Sequence, residues 1–311
     1  MNKQPTQSKG MSQSASHPAG HTSVSDAAPI VTENILAVEL DVKPKTGECS
    51  WTWQVGPESS LKRTIKIAVM GSLNGNVELL RTALQPADVL IINGSLTAHK
   101  GEVELQRTIE FLHAITAAGE GRLFRKIMVT TGKNDTMFQG LTAEAIQAKL
   151  DPRGAGRTVS YVGERTMDLY GLGLCFHPWN AEVKLDEVGK CNLFFTDVIP
   201  KTVRDVRIVQ GCEYSCGSTQ FLNTVSHWLC LGGGPRSAIF CDGPEECYGA
   251  QRLYVNKDVA PGTPQPKFDP RAVQDIFNVG VMSTVTCRPP ILVTVQPHSP
   301  AAAAAASSKP A

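Results

Sequence analysis

The chain has almost no net charge: 30 Lys and Arg stand against 29 Asp and Glu in 311 residues, leaving +1. That balance excludes a partner held by bulk electrostatics, so there is no strong nucleic-acid signal. Charged residues are 19% of the total and hydrophobic residues 41%, which excludes a disordered chain and describes a globular one with a substantial core. No apolar run is long enough to cross a bilayer, so no membrane span is expected. A secretory signal is missing too, and the nine cysteines form no dense framework. An odd count, with Cys175 and Cys230 inside apolar runs, fits thiols in a reducing intracellular compartment, the cytoplasm. The first 25 residues carry Lys3 and Lys9 but neither Arg nor an acidic residue. They also lack an apolar face, so a disordered tail is expected, with mitochondrial import as the alternative.

What is present divides the chain into three. Residues 1–29 read as a polar tail, 30–298 as a single globular domain, and 299–311 as an Ala-rich tail. The domain opens on two alternating segments, Val38, Leu40 and Val42 on one strand face and Trp51, Trp53 and Val55 on another. Pro and Gly between Lys43 and Gly47 predict a β-hairpin over 35–55. The paired tryptophans read as core cover or as a partner surface.

From residue 64 a different pattern begins. Ile65–Met70, Val89–Ile92 and Ile127–Thr130 are short apolar strands, with helical patterns at 76–84 and from Glu102 between them. Strand, loop and helix in alternation predict an α/β unit with parallel pairing, whose functional groups gather on the loops at the strands' carboxyl ends. Beyond Asp168 the pattern turns β-rich: strands are expected at 169–176, 192–195, 228–231, 237–241, 252–255, 277–285 and 291–295, with a helix at 218–227 and a Pro-rich loop at 261–270.

The three exit loops read Gly71-Ser72-Leu73-Asn74-Gly75, Asn93-Gly94-Ser95 and Gly132-Lys133-Asn134-Asp135. With Asp88-Val89-Leu90-Ile91-Ile92 before the second loop, they resemble the calcineurin-like metallophosphoesterase superfamily, and most closely its branch of small metallophosphoesterase-domain-containing proteins. Phe176-His177-Pro178-Trp179, Thr196-Asp197-Val198-Ile199-Pro200, Leu231-Gly232-Gly233-Gly234-Pro235 and Arg288-Pro289-Pro290-Ile291 follow in the branch's order, so the likeness runs from about 64 to 296. It implies a four-layer αββα sandwich of two mixed sheets, carrying the N-terminal hairpin in addition.

The departures bear on function. In that family two divalent cations (Mn, Fe or Zn) activate water and neutralise phosphoryl oxygens, and they need carboxylate, imidazole and amide ligands. The resemblance puts Ser72, Asn74, Ser95, Lys133, Asn134, Asp197, Gly233 and Pro235 at the metal and proton-donor positions. No two-metal site can be assembled from these residues, so no metal, cofactor or catalytic residue is expected. The expected function is that of a pseudoenzyme, a non-catalytic scaffold binding a protein partner or belonging to a larger complex. Degenerate members of this superfamily include the small subunit of retromer and the B subunits of replicative DNA polymerases.

Alternatives remain open at this level. One is a divergent phosphoric ester hydrolase acting on a phosphodiester or nucleotide. Another is a metal-independent phosphate or nucleotide site made by Lys133, Ser72, Ser95 and Asn74 with loop N–H groups. Ser72, His177 and Asp197 have the residue types of a hydrolase triad without a Gly-x-Ser-x-Gly elbow. Cys212, Cys216, Cys241 and Cys247 have the residue type of a zinc site without its spacing.

Overall fold

The computed structural model describes residues 35–40, 49–56, 59–98, 101–117, 119, 122–132, 134–154, 156–177, 188–201, 206–210, 212–231, 235–243, 248–256, 268–279 and 289–298. All of them lie in the unit Val31–Ala311. Both expected tails, Lys133, Gly233 and the turn at 43–47 lie outside the described residues.

The first α/β unit forms where the apolar runs predict it. Strands β1 (Ile35–Leu40), β2 (Cys49–Gln54) and β3 (Ile65–Met70) lead to helix α1 (Val77–Ala83), then β4 (Ala87–Ile92), α2 (Glu102–Thr116) and β5 (Phe124–Val129). A 3-10 turn, Thr136–Phe138, precedes α3 (Ala143–Leu150) and β6 (Val159–Tyr161). Thr142 caps α3, its side chain accepting from the Ala145 N–H. The remainder is β7 (Arg165–Leu169), β8 (Leu172–His177), β9 (Leu193–Thr196), β10 (Val206–Val209), β11 (Cys212–Ser215), α4 (Thr219–Leu231), β12 (Ala238–Cys241), β13 (Gly249–Asn256), β14 (Phe268–Asn278) and β15 (Ile291–Gln296).

The strands make two mixed sheets and one ribbon. The six-stranded sheet runs β2-β15-β3-β4-β5-β6, the seven-stranded sheet β1-β13-β14-β12-β9-β8-β7, and β10 pairs with β11 alone. One buried cluster joins the sheets, taking Ile67, Val69, Ile91 and Val293 from the first and Phe176, Phe195, Phe240 and Phe277 from the second. A second cluster packs the opposite face of β3–β5 against α1, α2 and α3. A third packs α4, through Phe221, Val225 and Trp228, against the outer face of the seven-stranded sheet. The four phenylalanines stand in register on neighbouring strands as a stacked ladder with ring centroids 4.8, 5.2 and 4.9 Å apart.

Several expectations are corrected. The predicted hairpin over 35–55 does not form: β1 pairs antiparallel with β13, and β2 pairs parallel with β15 in the other sheet. Alternation gives each strand an apolar face but no partner, and Trp51 and Trp53 gain more over the inter-sheet core than a local pairing offers. Trp51 sits 5.1 Å from Phe277 across the sheets, and both tryptophans are half-buried against that core. Residues 228–231 continue α4 instead of forming a strand, with Trp228 and Leu229 buried against the sheet beneath it. The strand expected at 169–176 is a hairpin, with β7 and β8 meeting at Tyr170-Gly171, whose φ values of 57° and 92° fold the chain back. β14 starts at Phe268, inside the expected Pro-rich loop.

Candidate functional site

In β3, β4 and β5 the buried, apolar strand residues give way at the carboxyl end to Gly, Ser and Asn, and the chain turns. The exit loops of β3 and β4 interlock: the N–H groups of Leu73 and Asn74 donate to the Ser95 carbonyl at 2.7 and 3.3 Å, and Gly75 N–H to the Leu96 carbonyl at 2.9 Å. Asn74 and Gly75 take φ values of 47° and 71°, the left-handed conformation that Asn and Gly tolerate.

The seven-stranded sheet brings its own strand ends to the same place. Buried Asn93 donates through Nδ2 to the carbonyls of Thr196 at 2.7 Å and Phe240 at 3.3 Å, tying β4 to β9 and β12. Asp242, just past β12, donates its N–H to the Thr196 carbonyl at 2.9 Å. Its carboxylate holds Ser72, with Oδ1 accepting the Ser72 N–H at 2.9 Å and Oδ2 accepting the Ser72 hydroxyl. Ser72 Oγ accepts the Ser95 N–H at 2.7 Å, and Ser95 Oγ accepts the Asn134 N–H at 3.0 Å. Asn134 Nδ2 closes the set by donating to Asn74 Oδ1 at 3.1 Å. The loops approach so closely that a Cβ at Gly94 would run into the Asp242 carboxylate and Ser72 Oγ.

Asp135 is buried and turned into the backbone. It accepts the N–H groups of Leu96, Thr97 and Gly132 at 3.0, 2.9 and 3.1 Å, and the Thr97 hydroxyl at 2.9 Å. Burial pushes its carboxyl above the usual range, and these four donors only partly oppose that. Cys241 is fully buried; burial, then the carboxylates of Asp242 and Asp197, push its thiol well up and keep it protonated.

The structure therefore brings together Ser72, Asn74, Ser95 and Asn134, with Asp197 on the β9 exit nearby. Pro235 is not among them: it precedes β12, and Arg236 beside it donates to the Cys191 carbonyl at 3.0 Å ahead of β9. The residue that the β12 exit delivers is Asp242. Sequence reasoning missed it, although an Asp-Gly directly after the apolar run Ala238–Cys241 is a strand-exit signal. Asn93 shows in the sequence only as a loop residue.

His177 ends β8 opposite Thr196, its ring stacked 6.1 Å from Phe194. Among the described residues its Nε2 has no hydrogen-bond partner, and no hydrogen bond joins it to Ser72. Cys241 lies in the core under α4 while Cys212 and Cys216 are exposed on and beside the separate ribbon, so these three thiols do not converge; Cys247 lies outside the described residues. Among the described residues no group of three or more His, Cys, Asp or Glu side chains is arranged to hold a metal. Among the described residues no helix is long and apolar enough to cross a membrane. No family model matches the chain, and no curated protein matches it.

Proposed function

We propose that the chain is a metallophosphoesterase-like αββα domain whose catalytic centre is lost, and that it works as a non-catalytic scaffold binding another protein. The observation that carries the reading is the polar network at the strand exits. Ser72, Ser95, Asn134 and Asn74 are hydrogen-bonded in series, and both oxygens of Asp242 accept from Ser72. The pair of divalent cations that the resemblance implies needs several anionic or imidazole ligands pointing at a common centre. These residues do not fit it: the hydroxyls and amides of Ser72, Ser95, Asn74 and Asn134 are weak ligands, the Asp242 carboxylate holds Ser72, and Asp135 faces backbone N–H groups. With Asp197 added there is still no group of three His, Cys, Asp or Glu side chains arranged to hold a metal among the described residues. No hydrolytic step is derived through such a pair. The likeness extends over most of the chain while the ligand residues are replaced, as expected of a fold kept for a surface.

The test is the metal content of the purified chain after incubation with manganese and desalting, alongside turnover of bis(4-nitrophenyl) phosphate. Near-zero metal and no manganese-dependent turnover are expected. Two ions per chain with turnover would overturn the reading and restore the phosphoesterase.

A further inference from the structure

The net charge of +1 describes the whole molecule, and the fold spreads that charge unevenly. Strands β3, β4, β5 and β6 are parallel neighbours, so their amino ends form one margin of the six-stranded sheet. The chain enters β3 through Lys62 and Arg63, and β3 carries Lys66. It enters β5 through Arg122, and β5 carries Arg125 and Lys126, while Arg157 precedes β6. All are exposed except Lys126, which is half-buried. The exit loops at the opposite ends of the strands carry the carboxylates Asp135, Asp197 and Asp242, so opposite charges gather at opposite ends.

Register turns the cations into a row. The pairs Ile67↔Val89, Val89↔Lys126 and Ile127↔Val159 set Lys66, Asp88 and Arg125 side by side, with Arg157 continuing the line ahead of β6. At about 4.8 Å between strands the row is about 14 Å long, the reach of four or five residues of extended chain. Asp88 is the one described carboxylate on these four segments, and it does not balance them. Its Oδ1 accepts from Nη1 and Nη2 of Arg63, both at 3.2 Å, and its Oδ2 accepts the Lys66 N–H at 2.9 Å. The Arg122 guanidinium donates to the carbonyls of Phe124 and Arg125 at 3.1 and 3.4 Å. Among the described residues no ion pair takes the side chains of Lys62, Lys66, Arg125 or Arg157. Asp168 stands on the adjoining β7–β8 hairpin, and Glu58 and Glu120 lie outside the described residues. With all three counted, cations still outnumber carboxylates seven to four.

We infer that this margin is the docking surface for an acidic, carboxylate-rich segment of a partner protein. The inference rests on the scaffold reading and says where the partner sits and what it is made of. Four of the seven cations are arginines, whose planar fork meets a carboxylate with two hydrogen bonds. A single-stranded nucleic acid would call for exposed aromatic rings on which bases stack. The aromatic ring brought to this margin is Tyr170, and the Arg63 guanidinium lies over it, 5.3 Å from its centroid. A membrane would call for apolar side chains to insert, and the four segments expose no large hydrophobic residue among those described.

The experiment follows binding of a short fluorescein-labelled poly-glutamate peptide to the full chain by fluorescence anisotropy, with metal content measured on the same sample. The expected result is saturable binding at low salt that weakens as salt is raised. Lys66→Glu combined with Arg125→Glu should weaken it about tenfold or more. Lys62→Glu combined with Arg157→Glu should do the same, and these residues lie outside the strands, so the test survives if the first pair fails to fold. Arg107→Glu combined with Lys201→Glu changes the net charge equally at the opposite end and should leave binding nearly unchanged.

The inference is overturned if the peptide does not bind, or if the Arg107 and Lys201 pair weakens binding as much as the margin pairs do. It is equally overturned if single-stranded DNA or phosphatidylserine vesicles bind more tightly than the peptide, which would make the margin a nucleic-acid or membrane surface. Failure of the scaffold reading shows separately, as bound manganese, whereas a metal-free chain that ignores the peptide sinks this inference alone.

Discussion

The two sheets are joined in two places by opposite means. Between their faces, Phe176, Phe195, Phe240 and Phe277 stack as a ladder capped by Trp51. At their carboxyl ends, Asn93, Ser72 and Asp242 cross the same gap with hydrogen bonds. The ladder gains from apolar area and depends on shape, so the loss of one ring costs heavily and also strips contacts from its stacked neighbours. The polar junction gains little net energy per bond, but a broken bond leaves a buried partner without one. The first holds the sheets together; the second fixes where they meet.

Substitutions should separate these roles, and the largest effect belongs to the ladder. Phe195→Ala, which removes two of the ladder's three ring contacts, should cost about 3–5 kcal/mol in a denaturant melt. A loss under about 1 kcal/mol would show that the rings are loosely packed. Asp135 comes next. Asp135→Asn puts an amide N–H against the donors that the carboxylate now accepts, and should cost about 1–3 kcal/mol at neutral pH.

The same residue sets a pH dependence. Its folded pKa is raised above the unfolded value, so the folded state holds the extra proton between the two. Its contribution to stability is therefore greatest at acid pH and declines as pH rises from the unfolded value through the folded one. Unfolding free energies from pH 3 to 6 should show this declining term in the wild type and not in Asp135→Asn.

At the polar junction the effect is smaller and coupled. Ser72→Ala should cost about 1 kcal/mol, and a double-mutant cycle with Asp242→Ala should return a coupling of about 0.5–3 kcal/mol. Strict additivity would mean that the two loops are not locked to each other. The smallest change is expected away from both places. Arg63, half exposed, pairs with Asp88 at 3.2 Å, and Arg63→Ala should cost no more than about 1 kcal/mol.

The same contrast explains what was legible in the sequence. Ile65–Met70, Val89–Ile92 and Ile127–Thr130 announced strands because their apolar runs are short and end in glycine or polar residues. Their exit loops, with Ser72, Ser95 and Asn134, follow directly from where those runs end. Partners were not legible. Trp51 and Trp53 show a face, but that β2 lies beside β15 depends on residues more than 200 positions away. The ladder was hidden for the same reason, since each strand contributes a single ring to it and the register between strands is set by distant segments. Asp242 escaped because its role is set by Ser72, 170 residues earlier. The helix Ala143–Leu150 was overlooked altogether; it is short, and its buried face is carried by Ile146 and Leu150 alone.

The place of β15 has a consequence for how the chain is made. It lies between β2 and β3, with Ile291 opposite both Cys49 and Val69. While the protein emerges from the ribosome, β3 therefore waits with one edge unpaired and β2 with no neighbour at all, until the segment at 291–296 leaves the tunnel. Such an edge is open to pairing with other nascent chains, so this sheet can be completed only once its last strand has been made.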